Sequence, residues 1–514
     1  MSCRSATAQD TGTTAPGGQA PGATPNAQAP GGVGGGGRSW TVTTAVTVGA
    51  TLTDNVNLSP PGQQETDLYT TITPTIAVQH QAPRLKFNAS FSPTVVLYAD
   101  QPPNNQLFNT LAASGNLEAV KNFFYIDASV FVNQTFLTLF APQPASLGTN
   151  TPNRVETRTA TLSPYIQGVS DSGISYSLRN TQIWTNTNSS LANDVGFIGW
   201  TGHLDQTRGA NFWGADYYYQ ETVYESQPSL ITQSALLRLG RQVDPELGLS
   251  LRLGYQKNNY FIEQPDNYIY GVGFNWTPTP RAQASGYWEH QYFGSSYQLS
   301  ASYRRRLTAF TLSASRNAST YPQLGFTLPA GNTASLLDAA LTAQFPDPVE
   351  RQNAVNQFVQ ATGLPTTLLT PYSYYTNTVA LVQQTSASVA FLGAHNSLIL
   401  SGYYLESQNI VQPGVALPAP LFNNSDFTSW GPSASYSHDL SPKSKLNLLA
   451  TWSETKSNIA PFTETTSGLV RALVTTQFDP KTTGGIGARI YRILSTGTPV
   501  VMEHAVFVTL YHVF

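Results

Sequence analysis

The sequence predicts an all-β fold: a transmembrane, antiparallel, up-and-down β-barrel of about 22 strands, within a range of about 18–22. Three observations carry that expectation. The last residues, Glu503 to Phe514, read EHAVFVTLYHVF, and Val506, Val508, Leu510 and Phe514 fall on one side of a period-two pattern. Near the other end, Trp40, Val42, Thr44, Val46, Val48, Ala50 and Leu52 alternate with Thr41, Thr43, Ala45, Thr47, Gly49 and Thr51. If these two strands pair, the sheet has no open edge, a condition that lipid imposes on any sheet that spans it. Third, charged residues make up only 11% of the chain and mean hydropathy is −0.19. No apolar run approaches the roughly 20 residues that a spanning helix needs. An apolar exterior alternating with a neutral polar interior gives this balance.

Composition also removes several function classes. The one cysteine, Cys3, excludes a disulfide framework and a thiolate metal site. A net charge of −3 supplies no basic footprint for nucleic acid. Residues 1–38 read apart from the rest. Ser5, Ala6, Thr7 and Ala8 resemble the small-residue end of a signal peptide without its apolar core, so the stretch is either a signal-peptide remnant or a disordered tail. From Thr11 to Arg38 it is rich in Gly, Pro and Ala and cannot bury a core, which predicts a flexible lead-in ahead of a barrel over 39–514.

Taken in order, Thr53, Asp54, Asn55 and Val56 lead from the first strand into a Pro-Pro loop, and the second strand returns through Leu68, Thr70, Ile72, Pro74, Ile76 and Val78. Gln81 to Arg84 is a short turn, and short turns mark the periplasmic side of such barrels. Leu85, Phe87, Ala89, Phe91, Val95 and Leu97 mark the third strand, Gln106 to Ala113 a weak fourth, and Val120, Phe124, Ile126, Ala128, Val130 and Val132 a fifth. Further strands are expected near 155–168, 173–185, 195–206, 211–223, 229–241 and 247–258, where Leu247, Leu249, Leu251 and Leu253 alternate strictly. Tyr268, Tyr270, Val272, Phe274 and Trp276 give the next, followed by strands near 282–292, 296–305, 308–317, 374–392, 397–408, 428–439, 444–455, 467–479 and 482–493. Turn signals such as Asp244-Pro245-Glu246 and Leu440-Ser441-Pro442 alternate with longer connections.

Four stretches, TVTTAVTVGATLTDNVNLSPP, FFYIDASVFVNQTFLTLFAPQP, GFNWTPTPRAQASGYWEHQYFGSSYQLSASYRRR and LLDAALTAQFPDPVERQNAV, resemble the outer-membrane β-barrel proteins associated with PEP-CTERM and exopolysaccharide systems. The resemblance runs over nearly all of 40–514. It implies a porin-like barrel in the outer membrane of a Gram-negative cell, with polysaccharide-export or protein-sorting components as partners. It carries over no catalytic residue.

Between Thr320 and Pro371 the alternation stops, and Ser335 to Leu341 and Pro348 to Thr362 show helical spacing. The spacing predicts a long, partly helical insertion on the extracellular side: a lumenal plug, a lid, or a surface loop without a gating role. The seven histidines are scattered, and no HExxH, GxSxG or phosphate loop is present, so no catalytic residue, metal site or cofactor is assigned. With the apolar sets facing lipid, Arg179, Arg238, Arg252, Arg304, Arg471 and Arg489 project inward, together with Lys121, Asp127 and Glu289. Arginine on the lipid face costs about 2–4 kcal/mol at the midplane. An arginine-lined wall favours anions, including acidic polysaccharide. The other reading is that these arginines pair with acids and stiffen the barrel. The functional expectation is therefore a channel for an anionic or polysaccharide substrate, and its alternative is a plugged structural or docking barrel. An outer-membrane enzyme is a third reading, with no residue to support it.

Overall fold

The computed structural model describes residues 40–189, 194–224, 227–259, 267–319, 323–326, 372–375, 380–410, 426–460 and 462–514. Residues 1–38 and the helical spacing within 335–362 lie outside them.

One antiparallel sheet holds 24 strands. Two of its staves are each split in two, Leu85–Phe91 with Thr94–Tyr98, and Gln106–Phe108 with Leu111–Val120, which leaves 22 staves. The others, in order, are Thr41–Thr53, Asp67–Ala82, then after the split pair Phe124–Phe136, Arg154–Val169, Ser175–Thr187, Val195–Arg208, Asn211–Tyr224, Gln227–Gln242, Leu247–Asn258, Tyr268–Thr279, Ala282–Gln291, Gly294–Arg305 and Thr308–Ser319. Ala380–Leu392, Asn396–Asn409, Phe427–Ser441, Ser444–Ser457, Glu464–Asp479, Thr482–Ser495 and Val501–Val513 complete the circuit. Each stave pairs with its sequence neighbours, and the last pairs with the first, from Ala45↔Val513 to Thr53↔Ala505. The Phe514 amide donates to the Thr44 carbonyl at 3.0 Å, so the seam is hydrogen-bonded to the final residue. The sheet is closed, as the two terminal patterns require.

The faces follow the period-two pattern. Val42, Ile72, Val130, Leu251, Val272, Leu400, Val470 and Val508 are large, apolar and exposed, and form a belt around the outside. Such a surface is stable only against hydrocarbon. Tyr268, Tyr270, Trp276 and Trp288 lie on that outer face, where interfacial aromatics belong. All the turns on one side are short, including Pro83 and Arg84 after Ala82, so that side is periplasmic and the longer connections are extracellular. The insertion between Ser319 and Ala380 is described only at its base. There Gln323–Phe326 and Tyr372–Tyr375 form a two-stranded hairpin, the second strand of which comes alongside Phe124–Phe136 across the barrel.

Candidate functional site: a lumen crossed by residues 137–153

A closed barrel of 22 strands is too wide for wall side chains to fill. Here the connection between Phe136 and Arg154 enters it. Leu139 and Phe140 pack against Ala380, Val382, Tyr403, Leu405 and Phe427, on the sixteenth to eighteenth staves of 22, whereas Phe136 ends the fifth. Three extended residues reach about 10 Å. The two walls therefore approach each other at this level, and the lumen is flattened there. The inward face of the far wall permits that approach, because Ser386, Ser388, Ser401, Ser433 and Ser435 are small.

The segment is held at its base, its middle and its far end. At the base, the buried Asn153 accepts from the Thr138 amide at 2.9 Å and donates to the Thr138 carbonyl at 2.9 Å and the Pro142 carbonyl at 3.2 Å. The Arg154 guanidinium donates to the carbonyls of Ser146, Leu147 and Thr149 at 2.8, 3.0 and 3.3 Å, and so fixes the returning half. In the middle, the Gln143 amide donates to the Tyr491 hydroxyl at 3.2 Å, and the Thr465 hydroxyl donates to the Phe140 carbonyl at 3.3 Å. At the far end, Leu147 packs with Val56, Tyr69, Val96, Tyr98 and Phe108. Gly148 lies flat on Tyr69: a Cβ there would meet the ring at 2.1 Å, so any larger residue moves the loop or the ring. The Asn150 amide donates to the Val56 carbonyl at 2.8 Å, which ties the segment to the first extracellular loop.

Behind this contact stands a buried ion pair. The Arg489 guanidinium donates to Glu503 Oε1 at 2.7 Å, to the Tyr69 hydroxyl at 2.9 Å and to the Thr149 hydroxyl at 3.3 Å. Glu503 Oε1 also accepts from Thr53 and Thr149, both at 3.0 Å. A single network thus joins the first strand, the last strand and the crossing segment.

The structure brings most of the other arginines to acids. Arg179 meets Asp127 at 2.7 Å and lies 3.8 Å over the Tyr165 ring, which in turn stacks on Tyr125. Arg238 bridges Asp205 at 2.8 Å and Asp216 at 2.6 Å, and His203 Nδ1 is 2.7 Å from Asp216. Arg252 pairs with Glu289 and lies over Tyr287. Arg304 donates to the Pro280 carbonyl at 3.1 Å, at the periplasmic rim. Arg471 faces inward opposite Arg489 in the register and has no acceptor among the described residues. Lys121, expected on the inward face, instead lies exposed in the periplasmic turn after Val120. The alternation starts the fifth strand at Val120, but Val120 ends the preceding strand and the fifth begins at Phe124, so Lys121 joins the turn with Asn122, whose φ is +56°.

Exposure separates two kinds of wall. The side chains of Arg179 and Asp127 remain 35% and 36% accessible, whereas those of Arg252 and Glu289 are 8% and 0% accessible. Open space inside the barrel thus borders the row of Asp127, Tyr165 and Arg179. Sequence reasoning missed the crossing segment and its anchors Tyr69, Asn153, Arg154 and Glu503. The available signal was the presence of Leu137, Leu139, Phe140 and Leu147 in a connection that a surface loop would keep polar.

No family model and no curated protein matches the chain. Among solved structures, the FrpB iron transporter from Neisseria meningitidis, F3-3 variant, is similar at 8% identity and a TM-score of 0.50, over 92% of this chain and 81% of that one. Its F5-1 variant matches at 9% identity and 0.50, over 92% and 82%. The siderophore receptor PirA from Acinetobacter baumannii matches at 9% identity and 0.48, over 92% and 80%. At such identities the likeness is one of fold. The chain is an outer-membrane β-barrel. It resides in the outer membrane, and what it shares with these structures is the closed antiparallel barrel.

Proposed function

We propose that this protein is an outer-membrane channel for polar, anionic solutes, and that residues 137–153 form its constriction. One observation carries the reading: the segment is pinned to both walls at the extracellular end, and near the periplasmic end the Asp127–Arg179 pair keeps about a third of its side-chain surface accessible. Fixed charges at a narrow point select by sign and size. Most of these arginines are matched by carboxylates, so they stiffen the wall and contribute little net field. Arg304 meets only the Pro280 carbonyl at the periplasmic rim, and Arg471 has no acceptor among the described residues. The sequence resemblance adds a biological setting, export or uptake for an exopolysaccharide or PEP-CTERM envelope system. Hydroxyl edges of Tyr125 and Tyr165 beside Arg179 suit a sugar ring or its acidic substituent.

The test is single-channel recording of the refolded protein in planar bilayers under a salt gradient. The proposal expects discrete openings with a reversal potential on the anion-selective side. Silence under conditions in which the barrel is fully folded overturns it and leaves a docking barrel.

A further inference from the structure

We propose that Arg471 is an oxyanion-binding position in the lumen, just periplasmic of the constriction, for the phosphate, sulfate or carboxylate group of a passing solute. The inference rests on reading the lumen as a passage and names the group that passage recognises.

Four of the inward arginines meet a carboxylate: Arg179 with Asp127, Arg238 with Asp205 and Asp216, Arg252 with Glu289, and Arg489 with Glu503. Arg471 does not. On the adjoining strands its register partners are Leu449 and Arg489, and its inward neighbours along its own strand are Leu469 and Leu473. Val470 beside it is exposed on the lipid side, which fixes Arg471 on the inner face. Its frame is thus three leucines and a second arginine. Like charges directly opposite on neighbouring strands are destabilising. Glu503 neutralises Arg489 and is committed to it, so the charge of Arg471 remains uncompensated by the wall. A guanidinium in an apolar frame is costly without an anion, and its planar fork suits a bidentate oxyanion.

The position fits a recognition step. Leu469, one inward residue toward the extracellular side, packs with Tyr491 beneath the loops and lines a cavity of about 90 Å³ against Gln143, Pro144 and Ala145 of the crossing segment. That volume holds a few waters or one tetrahedral oxyanion. A solute that clears the segment on this side meets Arg471 next.

Isothermal titration of the refolded full chain in detergent, with inorganic phosphate, glucose 6-phosphate and glucose, tests the site without depending on conductance. The proposal expects both phosphates to bind and glucose not to. Arg471→Gln should weaken phosphate binding about tenfold or more, and Arg471→Lys should retain most of it, with heat-modifiability on gels confirming folding in each. Tighter binding of glucose 6-phosphate than of inorganic phosphate marks a solute subsite, and equal binding marks a site for free phosphate. Unchanged phosphate affinity in Arg471→Gln overturns the proposal. Recording the same proteins in bilayers separates the two readings. A conducting barrel in which Arg471→Gln alters neither binding nor selectivity retains the channel and loses the site. A silent barrel in which Arg471→Gln abolishes binding retains the site and loses the channel.

Discussion

Two residues, Glu503 and Gly148, decide how the inside of this barrel is held. Glu503 is the sole carboxylate on Arg489 among the described residues, and it also accepts from Thr53 and Thr149, so it joins the barrel seam to the crossing segment. Removing one partner of a buried pair strands the other charge, at a cost of about 3–5 kcal/mol. Glu503→Gln should lower the denaturation temperature of the refolded barrel and increase protease cleavage within 137–153; an unchanged melt would show that Arg489 finds another partner. Gly148 acts by having no side chain. Gly148→Val drives methyl groups into the Tyr69 ring, which is itself buried and hydrogen-bonded to Ser146 at 2.9 Å. The expected result is a larger and noisier conductance than that of the parent. Tyr69→Ala in the same chain should relieve the clash, so that the double variant is less impaired in stability than the two single effects added together.

At the scale of elements, the staves and the loops differ in what makes them legible. A strand with lipid on one face and a polar lumen on the other declares itself by period two, and Leu249, Leu251 and Leu253 did so without knowledge of any partner. The number and order of staves, and the pairing of the first with the last, followed from that pattern. That pairing has a direct chemical test: Ala50 and Val508 are opposite in register, so Ala50→Cys with Val508→Cys should form a disulfide on mild oxidation that resists unfolding on gels. A pair displaced by one residue, Ala50→Cys with Thr509→Cys, should not. The segment 137–153 gave no such signal. Its Leu139 is buried against residues more than 200 positions later, and its half-buried Leu147 packs on Val56, Tyr69, Val96, Tyr98 and Phe108 from earlier strands and loops; local periodicity carries no information about such partners. The same holds for the arginines. The alternation placed Arg252 on the inner face, but only the fold brings Glu289 beside it, two strands along.

For the whole molecule, closure and filling are separate problems. Hydrogen bonding around 22 staves removes every edge and places an apolar belt against lipid. It also encloses a lumen that the wall alone leaves too wide. This chain narrows it from the extracellular end with residues 137–153, backed by the first loop through Val56 and Leu58. The small serines of the far wall and the anchored segment flatten the lumen into a passage bordered by Asp127 and Arg179, with Arg471 below the constriction. The central claim is that this segment, rather than the wall, sets the width of the passage. The measurement that tests it is single-channel conductance of the parent and of a variant in which residues 139–151 are replaced by a short Gly-Ser linker. The account predicts that the variant folds as a closed barrel and conducts several-fold more than the parent, with weaker ion selectivity, since pore resistance falls as the narrowest section widens. Equal conductance and selectivity in the two proteins would contradict it.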